Sequence, residues 1–260
     1  RGDCENGRNG HGNVCEDGIA LGFEEAAPGA FAERVHVPYA DYNAVELPAN
    51  VSPVEMAGLG CRFATAYHGL AHRADVTPGD WVAVHGCGGV GLSAVHVADA
   101  LGATVVAVDL SEEKLAKASE LGADETVNAE RVVDVPARVR SVTDGGAHVS
   151  VDALGVAETC RNSVACLQKR GQHLQLGLTT DEERGEVSLP TDAMTMNEVT
   201  FLGSRGMPPT RYGELLRMMN RGVVSPAELV TNEVALDAVP DRLAAMSDYG
   251  TVGIEVVTEF

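Results

Sequence analysis

Short apolar runs alternate with amphipathic stretches through the middle of the chain. Those runs lie at 81–85, 104–108, 126–128, 149–152, 173–176 and 199–203. Helical spacing of apolar residues separates them, for example at 112–121 and 211–221. Strands that alternate with helices are typical of a parallel sheet covered by helices on both faces. The pattern therefore predicts a doubly wound α/β fold.

The segments before this region have a different pattern. Residues 1–17 are rich in glycine, asparagine and charge, which predicts a loop. Short runs at 30–38 and 43–48, separated by turn residues, predict strands of an antiparallel sheet. The sequence Ser-Pro-Val-Glu at 52–55 has the form of a capping box and predicts the start of a helix, and a second helical pattern follows at 63–74.

The first strand of the parallel region runs into a glycine-rich turn. Gly86, Gly88 and Gly91 have the spacing that combines a tight turn, close approach of backbone to a pyrophosphate, and packing of helix on strand. Asp109 ends the next strand, where a carboxylate can bind adenosine ribose hydroxyls and repel a 2′-phosphate. We therefore predict a site for NAD rather than NADP. Taken alone, the loop also fits a packing turn or the nucleotide site of a methyltransferase.

Charge excludes several classes of function. Asp and Glu number 38 against 19 Lys and Arg, a net charge of -19 that repels nucleic acid and anionic membranes. The sequence has no apolar stretch of transmembrane length and opens without a signal-peptide pattern. We expect a cytoplasmic protein that acts on a small molecule. Because only three residues are lysine, the acidic surface suggests adaptation to high salt, with an ordinary acidic cytosolic enzyme as the alternative.

Several motifs, in one order, resemble the zinc-dependent medium-chain alcohol dehydrogenases. They are Gly2-Asp3-Cys4, Asn13-Val14-Cys15, Gly29-Ala30-Phe31-Ala32-Glu33, Gly60-Cys61, Thr65-Ala66-Tyr67-His68, the glycine loop with Asp109, and Leu121-Gly122-Ala123-Asp124. The resemblance spans essentially the whole chain. It implies a Rossmann NAD-binding domain at 55–205, with 1–54 and 206–260 belonging to a mostly β, GroES-like catalytic domain. It also implies a homodimer or homotetramer.

The resemblance assigns a set of cofactor-binding residues. It implies Gly86, Gly88, Gly89, Val90 and Gly91 at the pyrophosphate, Asp109 and Lys114 at the ribose, and Gly177, Leu178 and Leu202 along the nicotinamide.

Cys61 matches a cysteine ligand of the family's catalytic zinc, which activates the bound alcohol as a Lewis acid for hydride transfer. The family's two other protein ligands have no counterpart here. We therefore expect an N-terminally incomplete chain that binds zinc poorly by itself, with one catalytic zinc in the full-length protein.

A second zinc of the family is structural and held by four cysteines. The corresponding positions here are Arg1, Cys4, Gly7 and Cys15. Two cysteines do not close a tetrahedral site, so we expect no structural zinc, although His11 could add a third donor.

The remaining candidates are interpreted as structural. His68 and His72 are one helical turn apart, a spacing that also suits acid–base chemistry or a metal. Cys87, Cys160 and Cys166 are expected to fill space in the core.

The leading prediction is thus an NAD-dependent and zinc-dependent alcohol dehydrogenase that interconverts an alcohol and an aldehyde or ketone. A zinc-free quinone or enoyl reductase of the same fold, which usually prefers NADPH, is one alternative. A catalytically silent nucleotide-binding protein is another.

Overall fold

The computed structural model describes residues 2–25, 27–246 and 250–260. Two compact units divide the chain: residues 65–204, called here the central unit, and residues 1–64 with 205–260, called the terminal unit.

Six parallel strands form the sheet of the central unit. They are β1 Trp81–His85, β2 Thr104–Asp109, β3 Glu125–Asn128, β4 Ala147–Asp152, β5 Leu167–Gln175 and β6 Thr200–Gly203. Their order in the sheet is β3-β2-β1-β4-β5-β6. Val84 of β1 therefore lies between Ala107 of β2 and Val151 of β4, at the point where the strand order reverses. The predicted doubly wound sheet is confirmed.

One helix connects each pair of successive strands, and further helices form most of the remaining regular structure in the described residues. They are α1 Glu5–Arg8, α2 Ala40–Asn43, α3 Pro53–His68, α4 Gly89–Ala100, α5 Glu112–Glu120, α6 Val135–Val142, α7 Ala157–Ala165, α8 Thr191–Met196, α9 Tyr212–Asn220 and α10 Val239–Met246. A π-helical turn, Gly69–Arg73, extends α3. Nowhere in the described ranges is a helix both long enough and apolar enough to cross a bilayer.

Side chains of the central strands are buried on both faces. Val82, Val84, Val106 and Val151 have no exposed surface, as expected when helices cover a parallel sheet on both sides. This double burial explains why the strands are nearly continuous apolar runs in the sequence.

Capping residues set where several helices begin. The predicted capping box is confirmed: the Ser52 N–H donates to the Glu55 carboxylate at 2.8 Å, and the Glu55 N–H donates to Ser52 Oγ at 3.2 Å. Ser111 caps α5, and the Asp134 carboxylate caps α6 by accepting the Ala137 N–H at 2.8 Å. The apolar run here begins at Val132 and predicts a helix from 132 to 142, but α6 begins three residues later because its cap lies inside the run.

The terminal unit departs from the expected arrangement. In the described part of this unit, strands β7 Val230–Ala235 and β8 Ile254–Glu259 pair in parallel. The prediction of antiparallel strands at 30–38 and 43–48 is wrong. Both segments are irregular, except that Asn43 ends the short α2. A strand needs a partner for its backbone, and the apolar side chains of these segments remain exposed, 61% in the case of Phe31.

Candidate dinucleotide site

The loop between β1 and α4 brings the helix tightly against the strand. Gly86 has φ +90°, and its N–H donates to the Val108 carbonyl at 2.8 Å. A Cβ placed on Gly91 would lie 1.7 Å from the Gly86 carbonyl oxygen. The first glycine is therefore required for the turn and the third for the close approach of α4.

Gly88 has a different environment. It precedes α4 with φ −78° and ψ −168°, an extended conformation open to any residue, and a Cβ here would meet no atom within 4 Å. Gly88 directly precedes the N–H groups that open α4, at Gly89, Val90 and Gly91, where the helix dipole favours an anion. Open space at this glycine fits the close approach of a pyrophosphate.

Asp109 is held between the glycine loop and α5. One carboxylate oxygen accepts the N–H of Cys87 at 2.7 Å, and the other accepts the N–H of Ser111 at 2.9 Å. Each oxygen retains a further lone pair for a ligand hydroxyl. Lys114 lies in the first turn of α5 and is half-buried. These contacts fix the acid at the carboxyl end of β2.

Residues assigned to the nicotinamide lie at the ends of β5 and β6. Gly177 follows β5, and a Cβ on it would lie 2.5 Å from the backbone nitrogen of Gly155, so two loops touch here. Leu178 is 85% exposed, and Leu202 pairs with Leu174 in the sheet. The structure thus brings the predicted cofactor residues to the carboxyl edge of one sheet.

A buried acid that the sequence analysis missed ties the two loops together. Asp152 ends β4 and is fully buried. One of its oxygens accepts the N–H groups of Leu154 and Gly155 and the hydroxyl of Thr159, each at 3.0 Å. The other accepts Nε2–H of Gln175 at 2.8 Å, and the same amide also donates to the Gly177 carbonyl at 2.9 Å. Asp152 therefore anchors both the β4–α7 loop and the loop after β5.

Polar side chains extend this network through the core. The Gln175 Oε1 atom lies 2.9 Å from His173 Nε2, and Ser163 Oγ lies 2.9 Å from His173 Nδ1. Because the Gln175 amide nitrogen faces Asp152, we assign the proton to His173 Nε2, leaving Nδ1 to accept the Ser163 hydroxyl. Burial lowers the pKa of His173, so the imidazole stays neutral.

His85, the last residue of β1, is a second buried histidine. Its Nε2 atom lies 3.5 Å from Cys166 Sγ. Burial lowers its pKa from 6.5 to about 4, although the nearby Asp152 opposes the shift.

This lowered pKa of His85 predicts a pH-dependent loss of stability. Because the pKa of His85 is lower in the folded chain, protonation favours the unfolded chain. The contribution of neutral His85 to the free energy of unfolding is therefore fully present above pH 6.5 and declines as pH falls toward 4. Between pH 7 and pH 5 we expect a loss of about 2 kcal/mol in the free energy of unfolding relative to His85→Gln. Urea denaturation of both proteins at both pH values measures it. Equal pH dependence of the two proteins would contradict the assignment.

The metal ligand predicted at Cys61 lies in the terminal unit. It is exposed and follows Gly60, where α3 kinks at φ 22°. Burial raises the pKa of Tyr212, and the charge of the Cys61 thiolate raises it further. Among the described residues, no group of three or more His, Cys, Asp or Glu is placed to hold a metal ion. By themselves these residues do not fit a zinc ion, which takes four ligands in a tetrahedral site.

The side chains interpreted as structural are packed inside the central unit. His68 is buried, and its ring centroid lies 5.7 Å from that of His72. Cys87, Cys160 and Cys166 are buried as predicted. Burial raises the pKa of Cys160 and of Cys166 to about 11, which keeps both as thiols.

A parallel sheet of this order, with a glycine loop at the reversal of strand order, defines a Rossmann-type domain. Residues 89–221 match the family described as zinc-binding dehydrogenase. The chain belongs to this family.

Known proteins resemble the chain over most of its length. It is 30% identical to a sorbitol dehydrogenase of Halalkalibacterium halodurans over 90% of this chain and 66% of that protein. It is also 30% identical to an NAD-dependent alcohol dehydrogenase of Sulfurisphaera tokodaii, over 98% of this chain and 71% of that one. The solved structure of an alcohol dehydrogenase from a Thermus species has a TM-score of 0.89 at 29% identity, covering 100% of this chain and 75% of the other. The chain thus spans about two thirds of the length of these curated relatives.

Proposed function

We propose that the chain functions as an NAD-dependent alcohol dehydrogenase. Such an enzyme transfers hydride between a small alcohol, or its aldehyde or ketone, and the nicotinamide. The observation that carries this proposal is the pairing of open space at Gly88 with a carboxylate fixed at Asp109. The names of the relatives support the reaction class. We also propose residues 55–205 as the NAD-binding domain, with 1–54 and 206–260 contributing to the catalytic domain.

Different residues of the central unit bind different parts of the cofactor. The N–H groups of Gly89, Val90 and Gly91 bind the pyrophosphate, and Gly88 leaves it room to approach. Asp109 accepts hydrogen bonds from the ribose hydroxyls, with Lys114 beside it.

The second half of the sheet receives the nicotinamide nucleotide, which supplies the hydride acceptor or donor. Gly177 and Leu178 lie along it on the loop after β5, which Asp152 anchors through Gln175. Leu202 lies along it in β6.

The proposal also covers the metal ion, the cellular location and the oligomeric state. We propose Cys61 as one ligand of a single catalytic zinc in the full-length protein, with the remaining ligands outside the described residues, and no zinc at Cys4 and Cys15. The lysine-poor, acidic composition supports a salt-adapted protein that binds neither nucleic acid nor membranes. From the resemblance to the family, we also propose a cytoplasmic homodimer or homotetramer.

The role proposed for Asp109 in cofactor choice can be tested by substitution. We expect the wild-type chain to bind NADH at least about tenfold more tightly than NADPH, because the carboxylate repels the 2′-phosphate. Asp109→Ser removes this charge and is expected to shift the preference toward NADPH by about 10- to 100-fold. Fluorescence titration with both cofactors measures the ratio.

The ratio of NADH to NADPH affinity distinguishes a role of Asp109 in cofactor choice from damage to the fold, because damage would weaken the binding of both cofactors together. Asp144→Asn is the matched control, because Asp144 is exposed, precedes β4 at the opposite edge of the sheet, and has φ +51°, which asparagine accepts. Tighter binding of NADPH by the wild type would favour the quinone or enoyl reductase instead.

A further inference from the structure

Two thiols of the terminal unit lie side by side. The Sγ atoms of Cys4 and Cys15 are 3.4 Å apart, and neither cysteine is in a disulfide. Cys4 caps α1 by accepting the Gly7 N–H at 3.3 Å. A disulfide is about 2 Å long, so the two sulfur atoms need to approach by roughly 1.4 Å.

The backbone around this pair leaves no room for a side chain at position 7, where the residue is Gly7. A Cβ on Gly7 would lie 2.6 Å from the Cα of Gly2, and backbone cannot rotate aside as a side chain can. Within the described ranges, no set of three metal-binding side chains includes the two cysteines. The two thiols are therefore close enough to react with each other.

Small molecules can reach the pair. A cavity of about 490 Å³ within the terminal unit is lined by Cys15, together with Gly12, Gly18 and Tyr42. Both cysteines are partly exposed. The Gly7 N–H lowers the pKa of Cys4, which increases its thiolate fraction. Access for an oxidant and a nearby resolving thiolate are the two requirements of disulfide exchange.

We propose that Cys4 and Cys15 form a reversible disulfide by exchange with a small-molecule disulfide of the glutathione class. The Cys15 thiolate attacks one sulfur of the small disulfide, forming a mixed disulfide and releasing one small thiolate. The Cys4 thiolate then attacks Cys15 Sγ, which forms the Cys4–Cys15 bond and expels the second small thiolate. Two protons from the cysteines end on the two small thiols, and the small disulfide is the species reduced. The cross-link then ties α1 to the segment after residue 14.

Tryptic mapping tests this directly, because Arg8 lies between the two cysteines. Cleavage separates residues 2–8, which contain only Cys4, from residues 9–34, which contain only Cys15. After incubation with oxidised glutathione and alkylation of remaining thiols, we expect these peptides to be joined and to separate on reduction. Cys61, which is exposed and lies outside this pair, serves as the internal comparison.

Single variants distinguish the order of attack. In Cys4→Ser the glutathione adduct on Cys15 is expected to accumulate to at least about ten times its wild-type level, because the neighbouring thiol acts at high effective concentration. In Cys15→Ser no joined peptides should form. Oxidation should also raise the thermal midpoint of the wild type and leave that of both variants unchanged.

Two results would overturn the proposal. One is wild-type protein that carries the adduct on Cys15 without joined peptides. The other is one zinc bound per chain that protects both thiols from alkylation and is lost in both single variants, since the pair would then be a metal site.

Discussion

A single methyl group added at Gly91 is expected to abolish measurable NADH binding and to lower the free energy of unfolding by about 3 kcal/mol. In Gly91→Ala the new Cβ would lie 1.7 Å from the Gly86 carbonyl oxygen, so α4 must move away from the turn. This movement displaces the N–H groups proposed to bind the pyrophosphate. Urea denaturation and NADH titration measure the two losses.

Gly88→Ala separates binding from stability at the same loop. Its methyl group meets no protein atom within 4 Å, so the free energy of unfolding should change by less than about 0.5 kcal/mol. The methyl occupies the space proposed for the pyrophosphate, and we expect NADH affinity to fall by about 100-fold or more.

Gly213→Ala is the control for both variants, because Gly213 lies in α9 with only the flexible end of Arg217 nearby. It should leave NADH affinity unchanged. Unaltered NADH binding by Gly88→Ala would show that the open space is not the pyrophosphate site.

Replacement of Asp152 by leucine is expected to lower the free energy of unfolding by about 4 kcal/mol. Asp152→Leu leaves the N–H groups of Leu154 and Gly155, the Thr159 hydroxyl and the Gln175 amide without their shared acceptor. Unsatisfied polar groups are costly where water cannot reach them, and Asp152 has no exposed surface. Chemical denaturation measures the loss.

The isosteric Asp152→Asn separates charge from shape. Its amide oxygen can still accept three of the hydrogen bonds, while its NH₂ faces the Gln175 donor, so the expected loss is smaller, about 1–2 kcal/mol. The predicted order of stability is Asp, then Asn, then Leu. A leucine variant as stable as the wild type would contradict the role of Asp152 as an anchor.

Features set by local chemistry were predictable from the sequence. The alternation of apolar runs and amphipathic stretches gave the sheet, because burial on both faces requires continuous apolar strands. The capping box at 52–55 and the spacing of Gly86 and Gly91 were equally local, and the structure places each group as those patterns require.

Features that depend on distant partners were not predictable. The runs at 30–38 and 43–48 have the composition of strands, yet pairing needs a neighbour that no local pattern supplies. Asp152 resembles Asp109 in sequence, since both end apolar strands, but only the fold buries one and leaves the other half-exposed. The alternation of polar residues near the end of β5, at His173 and Gln175, was a signal that could have indicated the buried network.

Hydrogen exchange of the wild-type chain with and without NADH tests most directly the claim that the loop after β1 is the cofactor site. We expect slower exchange in residues 86–92 and 109–114, and no change in β7 of the terminal unit. NADH binding that leaves exchange in both central segments unchanged would contradict the claim.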